Sequence, residues 1–152
     1  MSSNLIIYTD GGCRHNPGPA AIGVVIQNAS GITIDTISRH IGPGTNNQAE
    51  YRAVIAGLEK AKTLGADSVE IRADSQLIVE QLNGRYKVKE PTLKPLFQQA
   101  YDLSRRFNIF RIVHIPREMN READKLASQA LDHNEIDQSK PNTSYRQSAF
   151  DI

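Results

Sequence analysis

The run Leu5-Ile6-Ile7-Tyr8-Thr9-Asp10 constrains this chain more than any other stretch. It is short, apolar and partly β-branched, the pattern of a strand covered on both faces in the middle of a sheet. One layer of helices cannot cover such a strand, so the fold needs helices on each side. The run ends in an acid, and Gly11-Gly12 follow at once, where the backbone can turn away sharply. A carboxylate at the end of a buried strand is unfavourable unless a cation meets it. Taken alone, Asp10-Gly11 also reads as an ordinary turn.

The rest of the chain supplies the layers. Residues 11–19 are dense in turn formers and read as a loop. Residues 20–27 and 31–39 read as two strands joined by a hairpin through Asn28-Ala29-Ser30-Gly31, with a second turn at Gly42-Pro43-Gly44. A helix follows with apolar residues at Ala53, Val54, Gly57, Leu58, Ala61 and Leu64, and Gly65 closes it. Asn47 is its expected N-cap, with Glu50 three residues on as in a capping box. Residues 68–74 alternate as a strand that again ends in an acid, and residues 75–82 form a short helix. A basic linker at 85–90 leads to a helix over 91–107, a strand over 108–115 and a last helix capped by Asn120 and running through Leu131. An antiparallel meander followed by helix-linked parallel strands gives an α/β fold, a mixed five-stranded sheet with helices on both faces.

With 152 residues, the chain has room for one domain with a proper core, placed at residues 1–132. Residues 133–152 are polar and aperiodic, a tail either docked through Tyr145 and Phe150 or mobile. The formal charge of +1 excludes a strong global field, so a polyanionic partner must be met by local clusters. The single cysteine, Cys13, cannot close an intramolecular disulfide, which fits the reducing cytoplasm. No leader is visible, and no apolar run approaches the ~20 residues that span a bilayer.

Four acids stand out by position. Asp10 and Asp74 end strands. Glu50 is in phase with Ala53, Val54 and Gly57, and Asp124 with Ala127 and Leu131, so both lean toward the sheet. Each has an ordinary reading: Glu50 as a capping-box glutamate, Asp124 as a surface acid beside Lys125. Those readings leave unexplained why all four lie at strand ends or on core-facing stripes. If the four converge, repulsion amounts to about 4 kcal/mol per pair at ~4 Å and an effective dielectric of ~20. Divalent cations would relieve it, and carboxylate oxygens without paired Cys or His favour Mg²⁺ or Mn²⁺ over zinc. Two such ions balance four carboxylates.

Four motifs then stand together: Tyr-Thr-Asp-Gly-Gly-Cys-x-x-Asn-Pro-Gly-Pro from Tyr8 to Pro19, Thr-Asn-Asn-x-Ala-Glu-Tyr from Thr45 to Tyr51, Asp-Ser-Gln from Asp74 to Gln76, and Asn-x-x-Ala-Asp-x-Leu-Ala from Asn120 to Ala127. In this order they resemble type 1 ribonuclease H, over about residues 4–132. The resemblance implies the ribonuclease H-like fold and endonucleolytic cleavage of the RNA strand of RNA–DNA hybrids, leaving 5′-phosphate and 3′-hydroxyl ends. It implies that Asp10, Glu50, Asp74 and Asp124 are the catalytic acids and hold two metal ions, Mg²⁺ with Mn²⁺ as a substitute, when substrate is bound. Metal chemistry then supplies an activated water in line with the phosphorus and stabilises the departing 3′ oxygen. It also implies substrate contacts from Gly11, Cys13, Asn16, Thr45, Asn46, Asn47 and Gln76, whose amides suit base edges and 2′-hydroxyls.

The chain departs from many bacterial members in two places. Where they carry a histidine in a flexible loop before the last acid, this chain has Pro116-Arg117-Glu118-Met119. Arg117 is expected to contact phosphate and aid product release, since a guanidinium forks onto phosphate oxygens but cannot shuttle protons near neutral pH. His114, inside a strand, reads as structural. The variant resembles the archaeal-type branch, some members of which also accept double-stranded RNA. The basic, Trp-rich protrusion of those bacterial members is also missing, and Arg85, Lys87, Lys89 and Lys94 are its nearest stand-in, or else a solvated linker. The alternative function is a non-catalytic module binding hybrid or double-stranded RNA, although a pure binder has no reason to gather anions where phosphates must sit. A transposase or junction-resolving nuclease is disfavoured by the Thr-Asn-Asn and Asp-Ser-Gln blocks. The expected protein is monomeric, with nucleic acid and no membrane as partner.

Overall fold

The computed structural model describes residues 3–138, and of residues 134–138 only the backbone. Five strands, β1 (Asn4–Cys13), β2 (Gly18–Asn28), β3 (Thr33–Gly44), β4 (Ser68–Ala73) and β5 (Ile109–His114), form one sheet in the order β3-β2-β1-β4-β5. The meander β1-β2-β3 is antiparallel, while β4 and β5 continue parallel to β1. The apolar run Leu5–Asp10 thus lies within the central strand. That strand is longer than expected: Gly11, Gly12 and Cys13 stay extended because β2 pairs with them, although the parallel ladder to β4 stops at Thr9 and Ala73.

The helices are α1 (Asn46–Thr63), α2 (Gln76–Leu82), α3 (Lys94–Ser104) and α4 (Arg121–Gln138). α1 lies on one face, where a Cβ at Gly57 would stand 3.0 Å from Ile7 Cγ2. α4 lies on the other, so close that a Cβ at Gly23 of β2 would collide with the Ala123 carbonyl. Helices thus lie on both faces of β1: Ile7 and Thr9, toward α1, are fully buried, while Ile6 and Tyr8 on the opposite face are half-buried. The main core joins Leu5, Ile7, Ile22, Val24 and Ile26 of the meander to Tyr51, Val54 and Leu58 of α1 and Ile71 of β4.

Several boundaries differ from expectation. The Gly42-Pro43-Gly44 turn is instead the end of β3, paired with residues 18–20 beyond a bulge at Ala20/Ala21. An edge strand tolerates Pro43 because its missing N–H faces no partner. α3 is shorter than residues 91–107, beginning only after Leu93 buries itself as N-cap. α4 continues past Leu131 to Gln138, while Tyr145 and Phe150 lie outside the described residues. Among the described residues no helix is long and apolar enough to cross a membrane.

Candidate active site

The site forms where the parallel ladder stops. Asp10, on β1 one residue past that point, is 7% exposed. Asp74 follows the last residue of β4, and Glu50 comes from α1. One carboxylate oxygen from each of Asp10, Glu50 and Asp74 lies within 4.8 Å of the others. Asp124, from the first turn of α4, stands outside that trio but lies near enough to Asp10 to help push its carboxyl up. The four expected acids thus share one locality, with three in mutual contact range and the fourth near Asp10.

Local interactions set each acid. α1 is capped by Thr45, whose hydroxyl accepts from the Gln48 N–H at 3.1 Å while Gln48 Oε1 accepts from the Thr45 N–H at 2.9 Å. The capping box is therefore Thr45–Gln48 and not Asn47–Glu50, which leaves the Glu50 carboxylate available to the site. Gly11 lets α1 approach, since a Cβ there would collide with the Ala49 carbonyl and crowd the Glu50 backbone, and its backbone N–H partly offsets the rise of the Glu50 carboxyl. Asp74 is held by Asn120, whose Nδ2 donates to Asp74 Oδ2 at 3.2 Å and to the Thr9 carbonyl at 2.9 Å. Asn120 does open α4 with its carbonyl, which accepts from the Asp124 N–H, but its fully buried side chain points into the sheet rather than capping the helix. This second role was missed by the sequence reading; a carboxamide three residues before a buried alanine was its available signal.

Asp124 also differs from expectation. The buried face of α4 runs through Asn120, Ala123, Ala127 and Leu131, and Asp124 sits exposed beside it. The Gly23 contact fixes this rotation by pulling Ala123 and Ala127 onto β2.

Burial raises the Asp10 carboxyl from 3.8 to about 8, helped by the neighbouring Asp74 and Asp124. Glu50 is pushed well above its ordinary value, first by burial and then by Asp10 and Asp74. The Arg117 guanidinium, on a 3-10 turn at Arg117–Met119, opposes both shifts and so bears on the acid cluster. His114 is exposed at the end of β5, in register with Ala73.

The amide-bearing loops flank the acids. Asn46 Oδ1 accepts from the Cys13 N–H at 3.0 Å, and Asn16 Oδ1 accepts from the Asn46 N–H at 3.0 Å. The Cys13 thiol donates toward both carboxamide oxygens. Asn16, Thr45 and Asn47 line one groove with Lys87 and Lys89, and Gln76 is exposed at the start of α2 just after Asp74. Carboxylate oxygens gathered this closely fit hard divalent cations.

Residues 8–130 match the model of the reverse transcriptase-like family. Ribonuclease HI of Halobacterium salinarum is 45% identical over 125 residues, covering 82% of this chain and 63% of that protein. The bifunctional protein Rv2228c of Mycobacterium tuberculosis is 46% identical over 129 residues, covering 84% of this chain. The match spans only 35% of that longer relative. The structure of LC11-RNase H1, solved in complex with an RNA/DNA hybrid, superposes with a TM-score of 0.81 at 48% identity, covering 86% of this chain and 98% of that one. With the acids on a sheet of order β3-β2-β1-β4-β5 and relatives of this closeness, the chain belongs to the type 1 ribonuclease H family.

Proposed function

We propose that this chain is an endoribonuclease that hydrolyses the RNA strand of RNA–DNA hybrids, with double-stranded RNA as a secondary substrate. The observation that carries the reading is the trio Asp10, Glu50 and Asp74, with oxygens within 4.8 Å of one another and the Asp10 and Glu50 carboxyls pushed up by burial. A surface built only to bind a polyanion would place cations there instead.

Asp10, Glu50, Asp74 and Asp124 would hold two divalent cations, Mg²⁺ or Mn²⁺. Bound together with substrate, these ions supply an activated water and stabilise the departing 3′ oxygen, leaving 5′-phosphate and 3′-hydroxyl ends. The chain's own residues do the rest. Gly11 and Asn120 hold Glu50 and Asp74 in place. Asn16 and Asn46 use their carboxamide oxygens to tie the two loops together, so their NH₂ groups remain as donors for minor-groove acceptors. Thr45 accepts the Gln48 N–H and keeps its own proton to donate to a phosphate oxygen. Arg117 offers a fixed positive charge to the scissile phosphate.

The test is a hybrid labelled on either strand, incubated with Mg²⁺, Mn²⁺ or EDTA, beside double-stranded RNA. The expected result is cleavage confined to the RNA strand and abolished by EDTA. Intact hybrid in the presence of either metal would end the proposal.

A further inference from the structure

A buried hydrogen-bond relay crosses the molecule just behind the site. Tyr51, next in sequence to Glu50, is fully buried, and its hydroxyl donates to Gln81 Oε1 at 2.6 Å. Gln81, 4% exposed at the end of α2, donates through Nε2 to the Lys87 carbonyl at 3.3 Å. The direction is fixed: a backbone carbonyl only accepts, so the Gln81 NH₂ must face Lys87 and its oxygen must face Tyr51. Burial raises the Tyr51 hydroxyl further above its ordinary value, so it stays a donor.

The relay ends on a segment without regular structure. Residues 87–90 belong to no helix or strand, and within them Val88 packs against the core while Lys87 and Lys89 on either side are exposed. Both lysines line a groove of roughly 680 Å³ whose other wall carries Asn16, Thr45 and Asn47. An irregular stretch can place two cations reproducibly only if its backbone is anchored, and Gln81 supplies such an anchor from inside. The same amide is bonded to the helix that carries Glu50, so the basic wall is referenced to the acid cluster.

We infer that Gln81 is a positioning residue for nucleic-acid binding, fixing the 87–90 segment so that Lys87 and Lys89 meet the substrate backbone, with no part in bond cleavage. The inference rests on the proposed hydrolysis of hybrids, and the experiment separates the two. Hybrid binding is measured by fluorescence anisotropy in EDTA across a salt series, and kcat and KM are measured with Mg²⁺, for the wild-type chain, Gln81→Met and Tyr51→Phe. Tyr51→Phe removes one oxygen and keeps the test open if Gln81→Met does not fold, which melting curves will show.

The expected result for Gln81→Met is hybrid affinity about tenfold weaker with kcat within about twofold of wild type. The slope of log affinity against log salt should be shallower by about 1–2, the contribution of two phosphate contacts. Lys87→Ala and Lys89→Ala should then add little in the Gln81→Met background, as expected for groups acting through one anchor. Tyr51→Phe should shift affinity in the same direction by less. Unchanged affinity in a folded Gln81→Met protein, a kcat loss equal to the affinity loss, or full additivity with the lysine variants would overturn the inference alone. A wild-type chain that fails to bind hybrid would overturn the functional proposal and this one with it.

Discussion

Replacing Asp10 by Asn removes a strongly perturbed carboxyl of the site while keeping its shape. In the metal-free protein the Asp10 carboxyl is raised from 3.8 to about 8, so the folded chain holds a proton that the unfolded chain releases. Below about pH 4 both states are protonated and the group contributes no difference. Between about pH 4 and 8 the folded state binds more protons, so stability falls as pH rises; above about 8 the loss is complete. At pH 7 the shift corresponds to about 4 kcal/mol, from ~1.4 kcal/mol for each pH step between 3.8 and 7. Solvent at the mouth and relaxation of Asp74 and Asp124 should reduce the observed gain to about 2 kcal/mol, or a melting temperature roughly 5 °C higher. Urea unfolding of both proteins in EDTA from pH 4 to 8.5 gives the comparison. The curves should coincide near pH 4 and separate toward pH 8, with Asp10→Asn the more stable, and the variant should not cleave hybrid. Millimolar Mg²⁺ should stabilise the wild-type chain and leave the variant nearly unchanged. A variant less stable at every pH, or a gap that does not widen with pH, would show that Asp10 is held by partners rather than against repulsion.

Two other substitutions probe the groups around the acids. Arg117→Ala should leave Mg²⁺-induced stabilisation intact and lower kcat about tenfold, since it removes a charge that faces Asp10 and Glu50 without being a ligand; unchanged kinetics would make Arg117 a bystander. Asn120→Ala should destabilise by about 1–3 kcal/mol in urea unfolding, because the buried Thr9 carbonyl loses its donor. It should also weaken Mg²⁺ affinity roughly 10–100-fold by releasing Asp74, read by calorimetric titration; unchanged affinity would limit Asn120 to packing.

What the sequence disclosed and what it hid follow a physical division. The central strand, the helices on both faces and the four acids were legible because they depend on apolar periodicity and on where charge breaks it. The roles of Thr45, Asn120 and Asp124 within their helices were not, because they turn on small shifts of cap or rotation. Asn47 with Glu50 and Thr45 with Gln48 both satisfy the spacing of a capping box, and only the latter leaves Glu50 beside Gly11. Asp124 fits an apolar stripe with Ala127 and Leu131, yet the helix is turned so that Ala123 and Ala127 meet Gly23. Backbone-to-backbone approach decides both cases, and it is carried by glycines whose neighbours are distant in sequence.

Those same glycines explain how the acids can stay together. Repulsion among Asp10, Glu50 and Asp74 acts to separate β1, α1 and the end of β4, and nothing in the trio itself resists it. Gly11 against Ala49 and Gly57 against Ile7 hold α1 to β1, Gly23 against Ala123 holds α4 to β2, and Asn120 ties α4 to both Thr9 and Asp74. The buried Ile7, Val24, Val54, Leu58 and Ile71 gain roughly 1.5–3 kcal/mol each on leaving water. This packing joins β1, α1 and β4 directly, so it can keep the carboxylates in place before any cation arrives. The site is then preorganised for cations rather than assembled by them, and losing metal should lower stability without loosening the sheet.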